Sequence, residues 1–428
     1  WFAFARATPT YRRRTAMAAA QRLKADFGSD EYRQAYDAWK ADRGDVDPDD
    51  DEAWLRDGLM PDPDQARVRV YVTQSTHKTL TSLRQGSMIH VFDQDFEQKA
   101  REPFQEAYMT HTSTSPNYQI LASLDVGRRQ LELEGYEFVR HSIGLAMMIR
   151  KQITDHPLLR KYFKVLKSGD MIPAKYRPSG MERFYDPDAG FTRIEEHWRT
   201  DEFALDPTRI TLHVGATGMD GDTFRKLLME KYGIQINKTS RNTVLFMLNI
   251  GSTRGAATYL LDVLLQIADD LEERREEESE MDRAKAANKV RSLVELLPPL
   301  PHFSRFHRAF ADDPRRDAHE GDVRAAFFKA YDQDAVEHLP MDGSVERALA
   351  DGRDVVSAAF VTPYPPGFPI LVPGQVLTED ILAYLKAIDV KEIHGYDAEH
   401  GLRVFREDVL ARMTADRSKA IRDEDPVV

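Results

Sequence analysis

Strand-like and helix-like runs alternate along this chain. One strand-like run, Val68-Arg69-Val70-Tyr71-Val72, leads straight into Ser75-Thr76-His77-Lys78. Alternation of this kind implies an α/β layer. The run also puts a hydroxyl, an imidazole and an amine together at the carboxyl end of a strand, where open α/β sheets hold their ligands.

A lysine amine in such a place can form a Schiff base with an aldehyde cofactor, and a serine and a histidine beside it can hold a phosphate. Those are the parts a pyridoxal phosphate site needs. Taken alone, Ser-x-His-Lys reads first as an ordinary turn between a strand and a loop. A second cluster, Tyr108-Met109-Thr110-His111-Thr112-Ser113-Thr114-Ser115-Pro116, gathers hydroxyls around a turn, where they and free backbone amides suit phosphate oxygens. Its bland counterpart is a threonine-rich cap before the next helix. A third, Pro363-Tyr364-Pro365-Pro366-Gly367-Phe368-Pro369, reads alone as a rigid loop or a polyproline ligand.

Composition narrows the chemistry. The 428 residues carry a net charge of −12, which argues against nucleic acid as the main partner, since phosphate backbones need a basic face. No apolar run approaches the ~20 residues of a membrane span, and no secretory leader is visible. The absence of cysteine excludes disulfides, thiolate metal sites and a cysteine acid or nucleophile. No histidine pair at metal spacing with a carboxylate is present, so no metal site is expected, and no Gly-rich phosphate loop. A cytoplasmic location fits. The start, Trp1-Phe2-Ala3-Phe4-Ala5, reads as the middle of a folded segment, so the chain is expected to be a piece lacking its amino-terminal part.

Helices are expected over 15–40, 126–155, 222–232, 254–297, 320–350 and from about Thr378, and strands over 67–73, 87–91, 209–214 and 243–248. Residues 41–65 are acidic and proline-broken and read as an exposed insertion. The run Glu272–Glu278 reads as a solvated helix face, and Pro298-Pro299-Leu300-Pro301 as a linker.

Taken in order, these clusters resemble one family, the bacterial ornithine/lysine/arginine decarboxylases, pyridoxal phosphate enzymes of the aspartate aminotransferase fold. The matching segments are Gln74–Lys78, Met109–Pro116, Leu205-Asp206-Pro207, Pro363–Pro369 with Pro373-Gly374, and Ile393-His394-Gly395. The resemblance implies an α/β fold: a three-layer cofactor domain of the aspartate aminotransferase type over 1–132, a smaller α+β domain over 133–275, and a carboxyl-terminal α+β domain over 276–428. It implies that Lys78 carries the internal aldimine of pyridoxal 5'-phosphate, that Ser75 and His77 contact the cofactor phosphate, and that Trp1 lies near the cofactor. Ser113 and Ser115 would reach the phosphate of a neighbouring subunit, which makes a homodimer at least. The family's pyridine-nitrogen aspartate would fall three residues before Trp1.

The implied reaction is decarboxylation of a basic amino acid, arginine, lysine or ornithine, with the cofactor ring as electron sink. His77 and Lys78 are both candidates for the proton donor, and the sequence does not choose between them. Two departures stand out: the stretch 22–65 is longer than in lysine-type members, and Asn237 stands where those members carry a glutamate that could read the distal cation of the substrate. A degenerate paralogue acting as a binding or regulatory subunit is the alternative, and an aminotransferase is a third reading within the fold.

Overall fold

The computed structural model describes residues 24, 27–43, 60–172, 174, 205–296, 301–302, 304–311, 320–364, 368–388 and 392–424. The chain divides into two compact units, one comprising Trp1–His213 with Leu245–Glu273, the other Val214–Val244 with Arg274–Val428.

Helix α1 (Asp30–Arg43) lies among the described residues of the first unit. Strands β1 (Arg69–Gln74) and β2 (Met88–Asp93) then pair antiparallel, from Arg69 opposite Asp93 to Gln74 opposite Met88. The connection between them begins with a single helical turn, α2 (Thr76–Thr79), which is the Ser-x-His-Lys segment. After β2 come a π-helical turn (Phe96–Ala100) and α3 (Arg101–His111).

The long helix α4 (Tyr118–Asp155) is the spine of this unit. Asn117 caps it, accepting from the amides of Gln119 and Ile120, so two of its otherwise unpaired amino-terminal donors are satisfied. Its second half buries Val139, Ile143, Ala146, Ile149 and Ile153. That spacing of three and four residues makes one apolar stripe. The stripe side lies against β3 (Lys164–Val165) and β4 (Arg209–His213), whose Ile210 and Leu212 are fully buried. Each such aliphatic side chain contributes about 1.5–3 kcal/mol by leaving water. The short helices α5 (Leu159–Tyr162) and α6 (Ser168–Met171) follow α4, and later come β6 (Thr243–Met247) and α8 (Arg254–Glu277); within this unit the sheet order is β3-β4-β6.

The second unit contains α7 (Gly221–Tyr232), capped by Asp220 and ended by Gly233 in the left-handed region, β5 (Lys238–Thr239), and α9 (Glu280–Val294). Its later part is built on β7 (Val336–Leu339), β10 (Tyr396–Asp397) and β11 (Gly401–Phe405) in the order β10-β11-β7. Around them pack α10 (Val323–Lys329), α11 (Ser344–Ala350), α12 (Glu379–Ala387) and α13 (Glu407–Glu424). A separate antiparallel pair, β8 (Thr362–Tyr364) with β9 (Glu392–His394), carries two of the sequence motifs. One core gathers Phe306, Phe310, Val356 and Phe405; a second gathers Val345, Leu371, Ile381 and Val404.

Two expected helices are corrected. The 254–297 stretch is two helices, α8 and α9, because Ser279 accepts from the amide of Asp282 and starts a new one. The 320–350 stretch is α10, then β7, then α11: Asp332 caps a short turn and Val336 onward pairs with β11 instead of continuing the helix. Residues 44–59, most of the acidic segment, and Pro365–Gly367 lie outside the described residues. The Glu272–Glu278 run is exposed from Glu273 to Glu277, while Glu272 turns inward and accepts from Lys161 Nζ and Tyr162 Oη.

Candidate active site

Lys78 stands on α2, in the connection of an antiparallel pair, so its position is set by whatever fixes that one turn. Inside the turn, the Lys78 amide donates to the Ser75 carbonyl at 3.2 Å and the Leu80 amide to the Thr76 carbonyl at 3.0 Å. Thr76, Thr79 and Leu80 point inward and are buried, whereas Ser75 and Lys78 are exposed. Three inward side chains thus anchor two outward ones.

The anchoring comes from two sides. On one, α4 offers Ser123, whose Oγ accepts from the Leu83 amide at 3.0 Å, and Gln130, whose Oε1 accepts from Thr81 Oγ1 at 2.5 Å. Between those two residues sits Gly127, so close to the turn that a Cβ there would lie 2.3 Å from the Thr81 carbonyl oxygen. On the other side, Arg209 Nη2 donates to Thr79 Oγ1 at 2.8 Å and the Ile250 amide donates to the Thr79 carbonyl at 3.1 Å. The Ile250 segment is tied in turn to α4, because Ser142 Oγ lies 2.9 Å from the Asn249 carbonyl.

Two polar atoms on the turn are shut away from solvent without a hydrogen bond: Thr76 Oγ1 and His77 Nδ1. Lys78 makes no ion pair among the described residues. Ser113 and Ser115 lie in the exposed turn between α3 and α4, where Ser113 Oγ accepts from the Ser115 amide at 3.1 Å. Among the described residues no hydrogen bond joins that turn to α2 of the same chain. Trp1 lies outside the described residues.

In the second unit, the motif residues Tyr364 and His394 meet edge to face at 6.1 Å across β8 and β9, and Lys238 Nζ lies 5.8 Å from the centre of the Tyr364 ring. Asn237 is exposed beside Lys238. Gly395 takes φ +81° with the Phe360 carbonyl where its Cβ would be, at 2.2 Å, so only glycine fits there. The second glycine of the motif set, Gly374, has φ +95°.

Residues 57–256 match the family model of the Orn/Lys/Arg decarboxylase major domain, and residues 325–410 match that family's C-terminal domain. The chain belongs to the Orn/Lys/Arg decarboxylase family. Among its relatives in this family, the lysine decarboxylase of Hafnia alvei is 29% identical over 375 residues, covering 78% of this chain and 46% of the relative. The arginine decarboxylase of Bacillus anthracis is 28% identical over 313 residues, covering 73% and 48%. The chain therefore spans about half the length of these curated relatives. Lysine decarboxylase A from Pseudomonas aeruginosa superposes with a TM-score of 0.50 at 22% identity, over 81% of this chain and 51% of that one, which supports the α/β fold of the decarboxylase family.

Thr79 and Arg209 carry no local sequence signal for a role at the site. Gly127 does carry a visible one, a glycine interrupting a helical pattern. The Leu205-Asp206-Pro207 segment was visible as a family motif without a role.

Proposed function

We propose that this chain carries the cofactor lysine of a pyridoxal phosphate-dependent decarboxylase acting on a basic amino acid, and that Lys78 is that lysine. The observation that carries the reading is the build of α2: an exposed amine, with no ion pair among the described residues, on a turn whose neighbouring residues are buried and hydrogen-bonded from two sides. Such a turn presents a nucleophile at a fixed point, as covalent attachment requires.

The donor set fits a phosphorylated aldehyde. Lys78 Nζ is exposed and makes no ion pair among the described residues, the exposed Ser75 hydroxyl can donate to a phosphate oxygen, and the half-buried His77 can offer Nε2 there while its enclosed Nδ1 has no hydrogen bond among the described residues. When bound, pyridoxal phosphate supplies an electron sink for the pair left behind as carbon dioxide departs. The rest falls to the protein. Lys78 Nζ would be the amine that holds the cofactor's aldehyde end, and Ser75 and His77 would face its phosphate. Either Lys78 Nζ or the His77 ring returns a proton to the substrate α-carbon. Since His77 Nδ1 is enclosed, a proton delivered by His77 leaves from Nε2.

The domain reading that goes with this function is a cofactor domain to about 132, a small domain to about 275 and a carboxyl-terminal domain beyond, in a homodimer. Exposed apolar side chains flank the hydroxyl turn that holds Ser113 and Ser115: Tyr108 and Met109 on α3, and Tyr118, Leu121, Val126 and Leu133 on α4. A run of this kind is typical of a surface that another protein covers, and a second copy laid there would bring Ser113 and Ser115 to its neighbour. Among the described residues no helix is long and apolar enough to cross a membrane. Lysine, arginine and ornithine are the substrates to assay, side by side. Release of carbon dioxide and the matching amine, abolished in Lys78→Ala, is the expected result; α-keto acid in place of carbon dioxide would instead support the aminotransferase reading.

A further inference from the structure

We propose that Arg209, held by Asp206, is a positioning residue for Lys78 and acts through Thr79. This rests on the reading of Lys78 given above and assigns a role to the Leu205-Asp206-Pro207 motif.

Asp206 makes a tight turn at the start of β4: its Oδ1 accepts from the Thr208 amide at 3.0 Å and from Thr208 Oγ1 at 2.6 Å. Its other oxygen, Oδ2, is closed off from solvent and has no hydrogen bond, and Arg209 Nη1 lies 4.0 Å away. A buried carboxylate oxygen needs a nearby positive charge, and Arg209 supplies one. The guanidinium is held at the same time by the Thr208 hydroxyl at 3.1 Å and the Leu248 carbonyl at 3.5 Å. Its remaining arm, Nη2, reaches Thr79 Oγ1 at 2.8 Å.

The base of this arrangement is itself fixed. Arg150, buried on α4, donates to the Pro207 carbonyl at 3.2 Å and the Arg209 carbonyl at 2.8 Å. The chain of contacts therefore runs from the spine helix, through the backbone of the Asp206 turn, through a planar fork, to the residue next to Lys78. A guanidinium can serve these separate acceptors at fixed angles; an ammonium cannot. Thr79 is held at two atoms, its hydroxyl by Arg209 and its carbonyl by Ile250. This fixes the Lys78 Cα and leaves only the lysine side chain to move.

The test uses the full chain and Thr79→Val, which removes the acceptor while keeping the volume, with Arg209→Lys alongside. Hydrogen exchange is followed in the peptide covering 74–83 and in α4. The rate at which added pyridoxal phosphate is fixed to Lys78 by borohydride is measured by mass spectrometry. In Thr79→Val, exchange at 74–83 is expected to rise about tenfold or more, with α4 unchanged, as loss of a hydrogen bond to a charged group implies. Labelling of Lys78 is expected to slow, and Arg209→Lys is expected to show both changes, since an ammonium cannot hold Thr79 and the Asp206 turn together. Wild-type exchange and labelling in Thr79→Val would overturn the positioning role while leaving the Lys78 reading intact. A wild-type chain that takes no label at Lys78 would overturn that reading and this proposal with it.

Discussion

Gly127 of α4 lies directly over the backbone of Thr81, where a Cβ would stand 2.3 Å from the carbonyl oxygen. The spine helix touches the lysine turn through a glycine because nothing larger fits. Gly127→Ala is therefore expected to lower stability by about 1–3 kcal/mol, as for other overpacked sites, since the opposing atom is backbone and cannot swing away. Gly144 on the same helix faces open space, so Gly144→Ala is expected to raise stability by about 0.5–1 kcal/mol. Urea unfolding of the two variants checks both signs; a gain in the first or a loss in the second would contradict the packing described.

The amino-terminal end of α4 hangs on Asn117. Its Oδ1 accepts from two backbone amides at 2.9 and 3.2 Å. Asn117→Ala is expected to cost about 1 kcal/mol and Asn117→Asp to be tolerated. Hydrogen exchange in the first turn of α4, measured against its buried second half, reads this directly.

His213 ends β4 opposite Lys164 of β3. Burial first, and the Lys164 charge second, hold its pKa below the ordinary 6.5. The unfolded chain thus takes up this proton at a higher pH than the folded chain does. The contribution is fully present above about pH 6.5 and is lost as pH falls through the lower folded value. His213→Gln is expected to flatten the acid side of the stability profile below about pH 6.5. Urea midpoints at several pH values measure it, and a decline as steep in the variant as in the parent would remove His213 from the explanation.

Much of this fold could be read from the chain because burial leaves periodic marks. The strands at 209–213 and 243–247 alternate buried and half-buried residues, and the second half of α4 repeats every three to four. Helix α3 left no such mark and was not foreseen: it buries no side chain, so it has no apolar stripe to detect. The start of α4 at Tyr118 carries little such signal, since its first turn is exposed apart from Ile120 and the Asn117 cap marks it. At the candidate site, Lys78, His77 and Ser75 were visible because they are adjacent in sequence. Arg209 was not, because it meets Thr79 across 130 residues and no local pattern records such a contact.

Gly395 shows how a motif turns into a physical requirement. With φ +81° and the Phe360 carbonyl 2.2 Å from any Cβ, it allows β9 to turn into β10. Gly395→Ala is expected to destabilise the second unit by about 1–3 kcal/mol through both strain and overlap. Limited proteolysis with peptide mapping tests this, with faster cleavage after residue 320 as the expected outcome and an unchanged pattern as the contrary one.

Lys78 is the proposed attachment point for pyridoxal phosphate. The most direct measurement is borohydride reduction of the cofactor-treated full chain, followed by peptide mass spectrometry. The expected result is a pyridoxyl group on Lys78, absent in Lys78→Ala. Label distributed over surface lysines with none enriched at residue 78, or no label at all, would contradict it.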